Sequence, residues 1–569
     1  MRKLFLLFTV IFVASSFTQV NMTALYPDIP NLKFTANAWG DYDNDGDLDL
    51  AVTGSPDPST GTYCASVFRN DGSGTFTDIN AGLTGVFGGK TEWGDCDSDG
   101  DLDLLLSGNV TSNPQLGETS MKAILYRNNG NGTFTNILTL DDYGYATFGD
   151  YDDDGDQDIL ARGSAYMLVV KQIVYSASIF KNVGNGSFVW QNISLPLGSK
   201  LDWFDYNSDG KCDIISSGDS TRVLNNLGNG IFNDSGLSIP FNSSSDYEAG
   251  DFDSDGDFDL IFVQDGLSRL YRNDGDSVYV EIDAGLENMS EMCKVSSGDI
   301  NVDGKLDIIL SGYSTENSGW RTKIYLNAGN NQFNPVNTQD PFLNLGAYET
   351  LIGDFDNDRD LDVLCSGSKY GNMTRLMRNN SAKKNTVPLK PLNLSVSREK
   401  NNYIFAWDKA IDGETDQNGL SYNIYLSTSP NSCNITSPAS NLSTGYRKVV
   451  KSGNSGSNNF YSISDLVCGT YYWSVQAVDN CFAGSLFFQE QSFTIPVVPV
   501  NVVISNEENE INISWSAVPG ATWYKVYSCE EPYGTFGDVS SEGTFTGTTW
   551  TGTGFTGNKL FYYVVAVSE

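Results

Sequence analysis

The stretch WGDYDNDGDLDLAVTG, residues 39–54, decides the fold of most of this 569-residue chain, because its acidic centre recurs. A nine-residue unit begins at Asp41, and successive units are separated by 54, 55, 55, 46, 48 and 55 residues. Repetition on this scale is typical of folds built from copies of one supersecondary unit. The later copies begin at Asp95, Asp150, Asp205, Asp251, Asp299 and Asp354.

Each copy has the ligand pattern of a calcium loop. Oxygen-bearing side chains stand at positions 1, 3, 5 and 9, and position 7 offers its backbone carbonyl to a hard cation. Six copies have glycine at position 6, where φ must be positive, whereas the seventh has Arg359 and is expected to bind more weakly. An EF-hand would need glutamate at position 12 and flanking helices, but the flanks here are strand-like. We therefore predict up to seven structural Ca2+ ions in loops that join β-strands.

The predicted metal positions, numbered by loop in chain order, are positions 1, 3, 5, 7 and 9 of each copy. Lysine at position 7 of loops 4 and 6 is compatible with binding only through its backbone carbonyl. The residues are Asp41, Asp43, Asp45, Asp47 and Asp49 in loop 1; Asp95, Asp97, Asp99, Asp101 and Asp103 in loop 2; Asp150, Asp152, Asp154, Asp156 and Asp158 in loop 3; Asp205, Asn207, Asp209, Lys211 and Asp213 in loop 4; Asp251, Asp253, Asp255, Asp257 and Asp259 in loop 5; Asp299, Asn301, Asp303, Lys305 and Asp307 in loop 6; and Asp354, Asp356, Asp358, Asp360 and Asp362 in loop 7.

A second motif, such as LYRNNGNGTF at residues 125–134, recurs between the loops. An aromatic residue or leucine, then Asn-x-Gly, then an aromatic residue predicts a strand, a tight turn and a strand. Each repeat thus predicts four strands, with the calcium loop between the first two and a loop of variable length before the third. Radial repetition of such sheets gives a β-propeller, here with seven blades over residues 21–387. The seventh repeat lacks a fourth strand, which we expect residues 22–29 to supply.

The signatures WGDYDNDGDLDL and LYRNNGNGTF resemble the FG-GAP/VCBS repeats of integrin-α-type propellers, over about 365 residues. The resemblance implies that the loops bind calcium structurally and that the opposite face engages partners. It further implies extracellular adhesion or recognition, without specifying the ligand.

The last third of the chain is a different kind of β-sequence. After the proline-bearing stretch NTVPLKPLNL from Asn385, residues 388–496 alternate in the manner of a β-sandwich and resemble a fibronectin type III domain, with Tyr471 or Tyr472 as its tyrosine corner. Residues 497–569 repeat this plan more briefly and end where a last strand would begin. A disulfide between Cys433 and Cys468 is compatible with the strand order. The fold class predicted is all-β, a propeller followed by two sandwiches.

Composition and the first residues favour an exported protein. The net charge of −37 argues against a nucleic-acid partner, and the seven loops hold 32 of the 71 acidic residues. Residues 1–20 have the basic start and short apolar run of a signal peptide, and no segment is long enough to span a membrane. We therefore expect a secreted or cell-surface location. The oligomeric state is not fixed by the sequence.

Three hypotheses for function follow. The first is a non-catalytic adhesion protein, in which the sandwiches hold the propeller away from its attachment point and the face opposite the calcium loops binds a protein or glycan. The second is a lectin-like propeller that uses aromatic side chains on the long loops. The third is a polysaccharide-degrading enzyme, although the absence of histidine excludes imidazole catalysis. Its carboxylate candidates are Glu92, Asp202 and Glu248, and the aromatic candidates of the second are Tyr63, Tyr166, Tyr175, Tyr313 and Trp320.

Overall fold

A computed structural model describes most of the chain after the predicted signal peptide, residues 1–20, which lies almost entirely outside the described residues. None of the described helices is long and apolar enough to cross a membrane. The described residues are 20–567 apart from 114–117, 168–171, 194, 196–199, 218–220, 240–245, 265, 276–277, 337–346, 348, 368–373, 497–498, 508–509, 519–520, 532–533 and 554–559.

The chain up to residue 379 consists of short antiparallel strands, with a 3-10 turn at Pro58–Thr60. The strands are β1 (Met22–Leu25), β2 (Lys33–Gly40), β3 (Asp49–Asp57), β4 (Thr62–Asn70), β5 (Phe76–Asp78), β6 (Thr91–Gly94), β7 (Asp103–Asn113), β8 (Glu118–Asn128), β9 (Phe134–Asp141), β10 (Tyr143–Gly149), β11 (Asp158–Met167), β12 (Gln172–Asn182), β13 (Phe188–Gln191), β14 (Lys200–Phe204), β15 (Asp213–Ser217), β16 (Thr221–Asn226), β17 (Phe232–Ile239), β18 (Asp246–Gly250), β19 (Asp259–Gln264), β20 (Leu267–Asn273), β21 (Tyr279–Ile282), β22 (Met289–Gly298), β23 (Asp307–Ser314), β24 (Gly319–Asn327), β25 (Phe333–Pro335), β26 (Glu349–Gly353), β27 (Asp362–Ser366) and β28 (Thr374–Asn379).

These described strands form seven four-stranded sheets. Sheets 1 to 6 each contain four consecutive strands, β2–β5 to β22–β25, and the acidic loop always joins the first strand to the second. The predicted order of strand, acidic loop, strand, variable loop, strand, Asn-Gly turn and strand is therefore confirmed. Because strands alternate in direction, the acidic loops and the Asn-Gly turns lie at one end of every sheet, and the variable loops lie at the other.

The seventh sheet is completed by the beginning of the chain. Its order is β1-β28-β27-β26, and Met22 pairs with Asn379 while Leu25 pairs with Leu376. The predicted closure by residues 22–29 is therefore confirmed, although the strand ends at Leu25. Strand β2 contacts both β6 of sheet 2 and β26 of sheet 7, so the first and last sheets are neighbours. The arrangement is propeller-like.

The tryptophan-glycine pair before loop 1 explains how neighbouring sheets approach so closely. A Cβ atom on Gly40 would lie 2.6 Å from the ring of Trp93, which belongs to the next sheet and is buried. Gly149 stands in the same relation to Trp203, and Gly353 to Trp39, which joins sheet 7 to sheet 1. Glycine is needed here because the ring of the next sheet occupies the space of a side chain.

The remainder of the chain forms two units of paired sheets, which we call the first and second sandwiches. In the first, β29-β30-β32 faces β31-β33-β34; in the second, β35-β36-β40-β39 faces β38-β37-β41, and a 3-10 turn covers Ser540–Glu542. The strands are β29 (Leu392–Glu399), β30 (Asn402–Asp408), β31 (Ser421–Ser427), β32 (Phe460–Ile463), β33 (Gly469–Val478), β34 (Gln491–Ile495), β35 (Val503–Glu507), β36 (Glu510–Ser514), β37 (Trp523–Cys529), β38 (Gly537–Asp538), β39 (Gly543–Thr546), β40 (Thr549–Thr553) and β41 (Phe561–Val567).

Aromatic side chains form both sandwich cores. Phe405 and Trp473 meet edge to face at 4.7 Å in the first, and Trp550 is fully buried in the second. The Tyr471 hydroxyl donates a 2.7 Å hydrogen bond to the Val467 carbonyl, so Tyr471 is the corner tyrosine of the two that the sequence offered. The disulfide that the strand order allowed does not form: Cys433 is a buried thiol and Cys468 an exposed one, and they are not linked.

Candidate metal centres

In every acidic loop two residues adopt the left-handed backbone conformation, with positive φ. Position 6 has φ between 71° and 106° in all seven loops, including 71° at Arg359, as the glycine pattern predicted. Position 4 is also left-handed in all seven, with φ between 54° and 63°, and this was not predicted. Asparagine, aspartate or serine occupies position 4 except in loop 6, where Val302 holds a conformation that β-branched residues rarely adopt.

The position 1 carboxylate closes the loop that these conformations create. In loop 1, Asp41 accepts hydrogen bonds from the N–H groups of Asp45, at 3.1 Å, and Gly46, at 3.2 Å. The same pair of bonds occurs in the other six loops. Position 1 thus has a structural role beside its predicted role as a ligand.

Position 9 joins the loop to the Asn-Gly turn of its own sheet. Asp49 accepts hydrogen bonds from the N–H groups of Tyr42, at 3.1 Å, and Asn70, at 2.8 Å. Equivalent bonds occur in all seven loops. A carboxylate oxygen has two lone pairs, so these bonds leave acceptor capacity for a cation.

The asparagine of each turn also holds two sheets together, and we call these residues the latch asparagines. The Asn128 side-chain amide donates a 2.7 Å hydrogen bond to the carbonyl of Tyr42, at position 2 of the preceding loop. The sequence predicted only turns here and did not predict this hydrogen bond between sheets. The signal that could have indicated it is that asparagine recurs at the same position of every turn. The other bonds join Asn70 to Phe355, Asn182 to Cys96, Asn226 to Tyr151, Asn273 to Tyr206, Asn327 to Phe252 and Asn379 to Ile300.

Five loops bring three carboxylates together, with one oxygen of each within 4.8 Å of the others. Positions 1 and 3 belong to every cluster; position 9 completes those of loops 1, 3 and 7, and position 5 those of loops 2 and 5. Loops 4 and 6 have asparagine at position 3, which supplies an amide oxygen instead. The structure therefore brings together predicted ligands from positions 1, 3, 5 and 9.

The donors fit a hard divalent cation. In loops 2, 3, 5 and 7 the position 3 carboxylate has a buried Oδ1 atom with no hydrogen-bond partner among the described residues: Asp97, Asp152, Asp253 and Asp356. Burial, and then repulsion from neighbouring carboxylates, raises the pKa of Asp41 to about 6 and that of Asp251 to about 7. A cation among these oxygens would relieve both costs, which is the chemistry that Ca2+ supplies.

Position 7 side chains bond to neighbouring loops in loops 1 and 2, whereas in loops 4 and 6 they are lysines that reach a predicted ligand of their own loop. Asp47 accepts a 2.7 Å hydrogen bond from Asn357 of loop 7, and Asp101 accepts one of 2.6 Å from Asn44 of loop 1. Lys211 and Lys305 lie 3.3 and 3.5 Å from the position 5 carboxylates of their own loops. Neighbouring loops are thus linked side by side.

Loop 7 differs from the others in two ways. Arg359 occupies the left-handed position 6, and the linker that follows sheet 7 places Lys384 Nζ 2.8 Å from Asp358 and 2.5 Å from Asp360. Arg378 pairs with Asp356, as Arg272 and Lys181 do with the position 3 carboxylates of loops 5 and 3. Lys384 is therefore an additional cation on loop 7, and weaker calcium binding there stays a prediction.

The carboxylates considered for catalysis lie on the first strands of the sheets; lysines pair with Glu92 and Asp202, whereas Glu248 accepts a 3.3 Å hydrogen bond from the Ser297 hydroxyl. Lys90 Nζ lies 3.2 Å from Asp202 and 3.5 Å from Glu92. Glu92 is 4% exposed and also pairs with Lys451 of the first sandwich. Burial alone would raise the pKa of Glu92, but the ammonium groups of Lys451 and Lys90 lower it to about 2. Burial raises the pKa of Glu248 to about 7.

The aromatic candidates predicted for the long loops lie instead in the strands that flank those loops, and the three whose side chains are described pack locally. Tyr63 stacks on Phe87 with 4.5 Å between ring centroids, and Tyr313 meets Trp320 edge to face at 5.8 Å. Trp320 was expected to be exposed and is only 5% exposed, because the strand that carries it turns its ring toward Tyr313. The side chains of Tyr166 and Tyr175 lie outside what the structure describes.

Comparison with known proteins gives one family match. The model of the FG-GAP-like repeat matches residues 41–106, 205–262, 251–310 and 299–365. The chain contains four FG-GAP-like repeats. Each matched stretch begins at position 1 of one acidic loop and ends just after the next loop, so the repeat unit runs from loop to loop.

Other likenesses are partial. A stretch of 80 residues is 38% identical to an amylopullulanase of Thermoanaerobacterium saccharolyticum, and it represents 14% of this chain and 6% of that protein. The structure of an Agrocybe aegerita lectin that recognises non-reducing terminal N-acetylglucosamine is also similar. The match covers 53% of this chain and 79% of the lectin chain, at 18% identity and a TM-score of 0.34. A match to the WD40 domain of SCAP from fission yeast covers 86% of this chain and 95% of that domain, at 9% identity and a TM-score of 0.28.

Proposed function

We propose that residues 21–387 are a seven-bladed, calcium-binding β-propeller of a secreted or cell-surface protein that acts in adhesion or recognition and has no catalytic activity. The observation that carries the proposal is the set of seven similar loops at one end of the sheets: five gather three carboxylates each, and four contain a buried position 3 oxygen with no hydrogen-bond partner among the described residues. Positions 1, 3, 5 and 9 would hold the ion, which would supply positive charge and rigidity. The two sandwiches are fibronectin type III-like modules in this proposal.

The binding surface in this proposal is the end opposite the loops. The first sandwich occupies the loop end, since the Asp41 N–H donates to the Lys448 carbonyl and Asn480 donates to the Gly304 carbonyl. At the opposite end, a cleft of about 710 Å3 lies between sheets 5 and 6. Its lining includes Arg269, Glu281 and Lys323.

That cleft favours a carbohydrate as the second candidate ligand. Its walls carry guanidinium, ammonium, carboxylate and amide groups, which can hydrogen-bond to hydroxyl groups. The carbohydrate site of this second candidate is the polar cleft and not the aromatic residues, because Tyr63 packs on Phe87 and Tyr313 on Trp320.

A glycan array with the full chain, in calcium and in chelator, tests the choice of ligand. Arg269→Ala removes a cleft side chain that lies 3.0 Å from Glu281. Arg222→Ala is the matched control, because Arg222 also lies on a third strand and faces an acid of the fourth, Asp234, at 3.5 Å. Calcium-dependent binding that only Arg269→Ala abolishes supports the carbohydrate. Silence from the folded protein favours a protein partner, and turnover of a glycan contradicts the non-catalytic role.

A further inference from the structure

The first sandwich does not stand apart from the sheets as a spacer; it contacts six of the seven acidic loops, and the linker before it contacts the seventh. Its contacts are hydrogen bonds to loop backbones and carboxylates, and the linker residue Asn385 supplies the contact to loop 7. The bonds join Asp41 to Lys448, Gly100 to Lys448, Asp153 to Ser464, Asp205 to Asn458, Gly256 to Ser457, Gly304 to Asn480 and Arg359 to Asn385.

A long connection within the sandwich makes much of this contact. Residues 428–459 separate β31 from β32, and they place Val449 opposite Gly40 in a β-bridge. Lys448 is 93% buried, and its ammonium group donates a hydrogen bond to the Gly100 carbonyl. Lys451 forms an ion pair with Glu92 on the first strand of sheet 2. Burying the Lys448 ammonium group is unfavourable unless it finds an oxygen partner, and Lys451, whose side chain is 50% exposed, adds an ion pair with the buried Glu92, so this seating is specific.

Some contacts act on the candidate metal ligands themselves. The Asn458 amide donates a 2.9 Å hydrogen bond to Asp205, and the Tyr461 hydroxyl donates one of 3.3 Å to Asp150. Both carboxylates are at position 1 and also close their loops. Because each carboxylate is hydrogen-bonded directly to the sandwich, a shift in the position of Asp150 or Asp205 alters that hydrogen bond.

We infer that the first sandwich is a built-in cap on the loop end, and that divalent-cation binding to the loops strengthens its seating. This inference rests on the proposed calcium role. Without a cation, the clustered carboxylates repel each other and the loops that support the cap are less well ordered. With a cation, loops and cap form one cooperative unit, and a partner can reach only the opposite end.

Hydrogen exchange of the full chain, with bound calcium measured in parallel, tests the coupling. In calcium, amides of residues 453–464 should exchange more slowly than in chelator, by up to about 100-fold for each coupled site at 100 times its dissociation constant. The core strand β33, which pairs with β31 and β34, serves as the internal control and should change less. Calcium binding without a change at 453–464 overturns the inference and leaves the proposed function intact; no calcium binding overturns both.

Two glycine variants test the seating independently of calcium. Gly46 and Gly304 both occupy position 6, with φ of 93° and 91°. A Cβ on Gly46 meets nothing within 4 Å, whereas one on Gly304 would lie 1.8 Å from the Glu414 carbonyl of the first sandwich. The backbone strain is matched, so Gly304→Ala should speed exchange at residues 412–416 and Gly46→Ala should not.

A hydroxyl pair provides a milder test. Tyr461→Phe removes the bond to Asp150, and Tyr471→Phe removes a bond that stays inside the sandwich. Faster exchange at 453–464 in Tyr461→Phe alone supports the cap. If the two glycine variants have equal exchange rates at residues 412–416, and the two tyrosine variants have equal rates at residues 453–464, the cap inference is overturned.

Discussion

Asn128 and Tyr42 belong to neighbouring sheets, and the Asn128 side-chain amide lies 2.7 Å from the Tyr42 carbonyl. The backbone N–H of Asn128 donates to Asp103 at 2.8 Å, so one residue joins its own acidic loop to the preceding one. Repeated seven times, this link makes a closed circuit of hydrogen bonds in which the last member, Asn70 to Phe355, joins sheet 1 to sheet 7. The acidic loops are therefore part of the connection between sheets.

Asn128→Ala should destabilise the protein by about 1–3 kcal/mol, because it leaves a buried carbonyl without its donor. The measurement is the free energy of unfolding in denaturant, in calcium. Asn129→Ala is the control, since Asn129 is exposed and bonds only within its own turn, to Thr133 and Thr135. Equal losses in the two variants would contradict the latch.

Gly40→Ala should cost about 1–3 kcal/mol through overpacking against the Trp93 ring. Thermal unfolding and the near-ultraviolet circular dichroism of the tryptophans report the change. Gly319→Ala is the comparison, because the nearest atom to its new Cβ lies 3.9 Å away. A Gly40→Ala protein as stable as the Gly319→Ala protein would show that the sheets can separate without cost.

The position 1 aspartates of loops 5 and 7 should differ in their contribution to calcium binding. Asp251→Asn should reduce the calcium-dependent rise in Tm more than Asp354→Asn, because Lys384 already supplies positive charge to Asp358 and Asp360 of loop 7 and Arg359 occupies its left-handed position 6. Both residues accept the same two loop N–H groups, so the pair is matched in structure. A larger effect of Asp354→Asn would contradict this ranking of the loops.

Arg359→Gly should stabilise the protein in calcium by up to about 1 kcal/mol, because it removes a side chain from a left-handed position. The N–H and carbonyl of residue 359 remain available to Asp354 and Asn385. Differential scanning calorimetry measures the shift in Tm. Unchanged or lower stability would mean that the arginine side chain makes a compensating contact.

The sequence predicted the repeat, the strand order, the closure by the first strand and the glycine conformations, because each depends on local spacing and backbone sterics. It did not predict the latch asparagines, since a turn signal such as Asn-x-Gly gives no information about which distant carbonyl the side chain meets. Loop 6 shows a second limit: valine is disfavoured in the left-handed region, and Val302 adopts it because the neighbouring bonds of Asp299 and Asp307 fix the loop.

Local sequence patterns also did not predict where the first sandwich packs. Alternation of apolar and polar residues predicts its strands, and nothing in that alternation distinguishes an independent spacer from a domain packed on the loops. Lys448, Lys451 and Asn458 lie in an irregular connection, where neither spacing nor propensity distinguishes an interface from a solvated loop. Their partners, among them Glu92 and Asp205, lie more than 200 residues earlier in the chain.

The most direct test of the account is the calcium content and Tm of the purified full chain, measured together before and after exhaustive chelation. We expect six to seven tightly held Ca2+ ions, and a Tm that falls on chelation because a ligand at 100 times its dissociation constant contributes about 2.7 kcal/mol per site. The chain with no bound calcium and an unchanged melting curve in chelator would contradict the central claim.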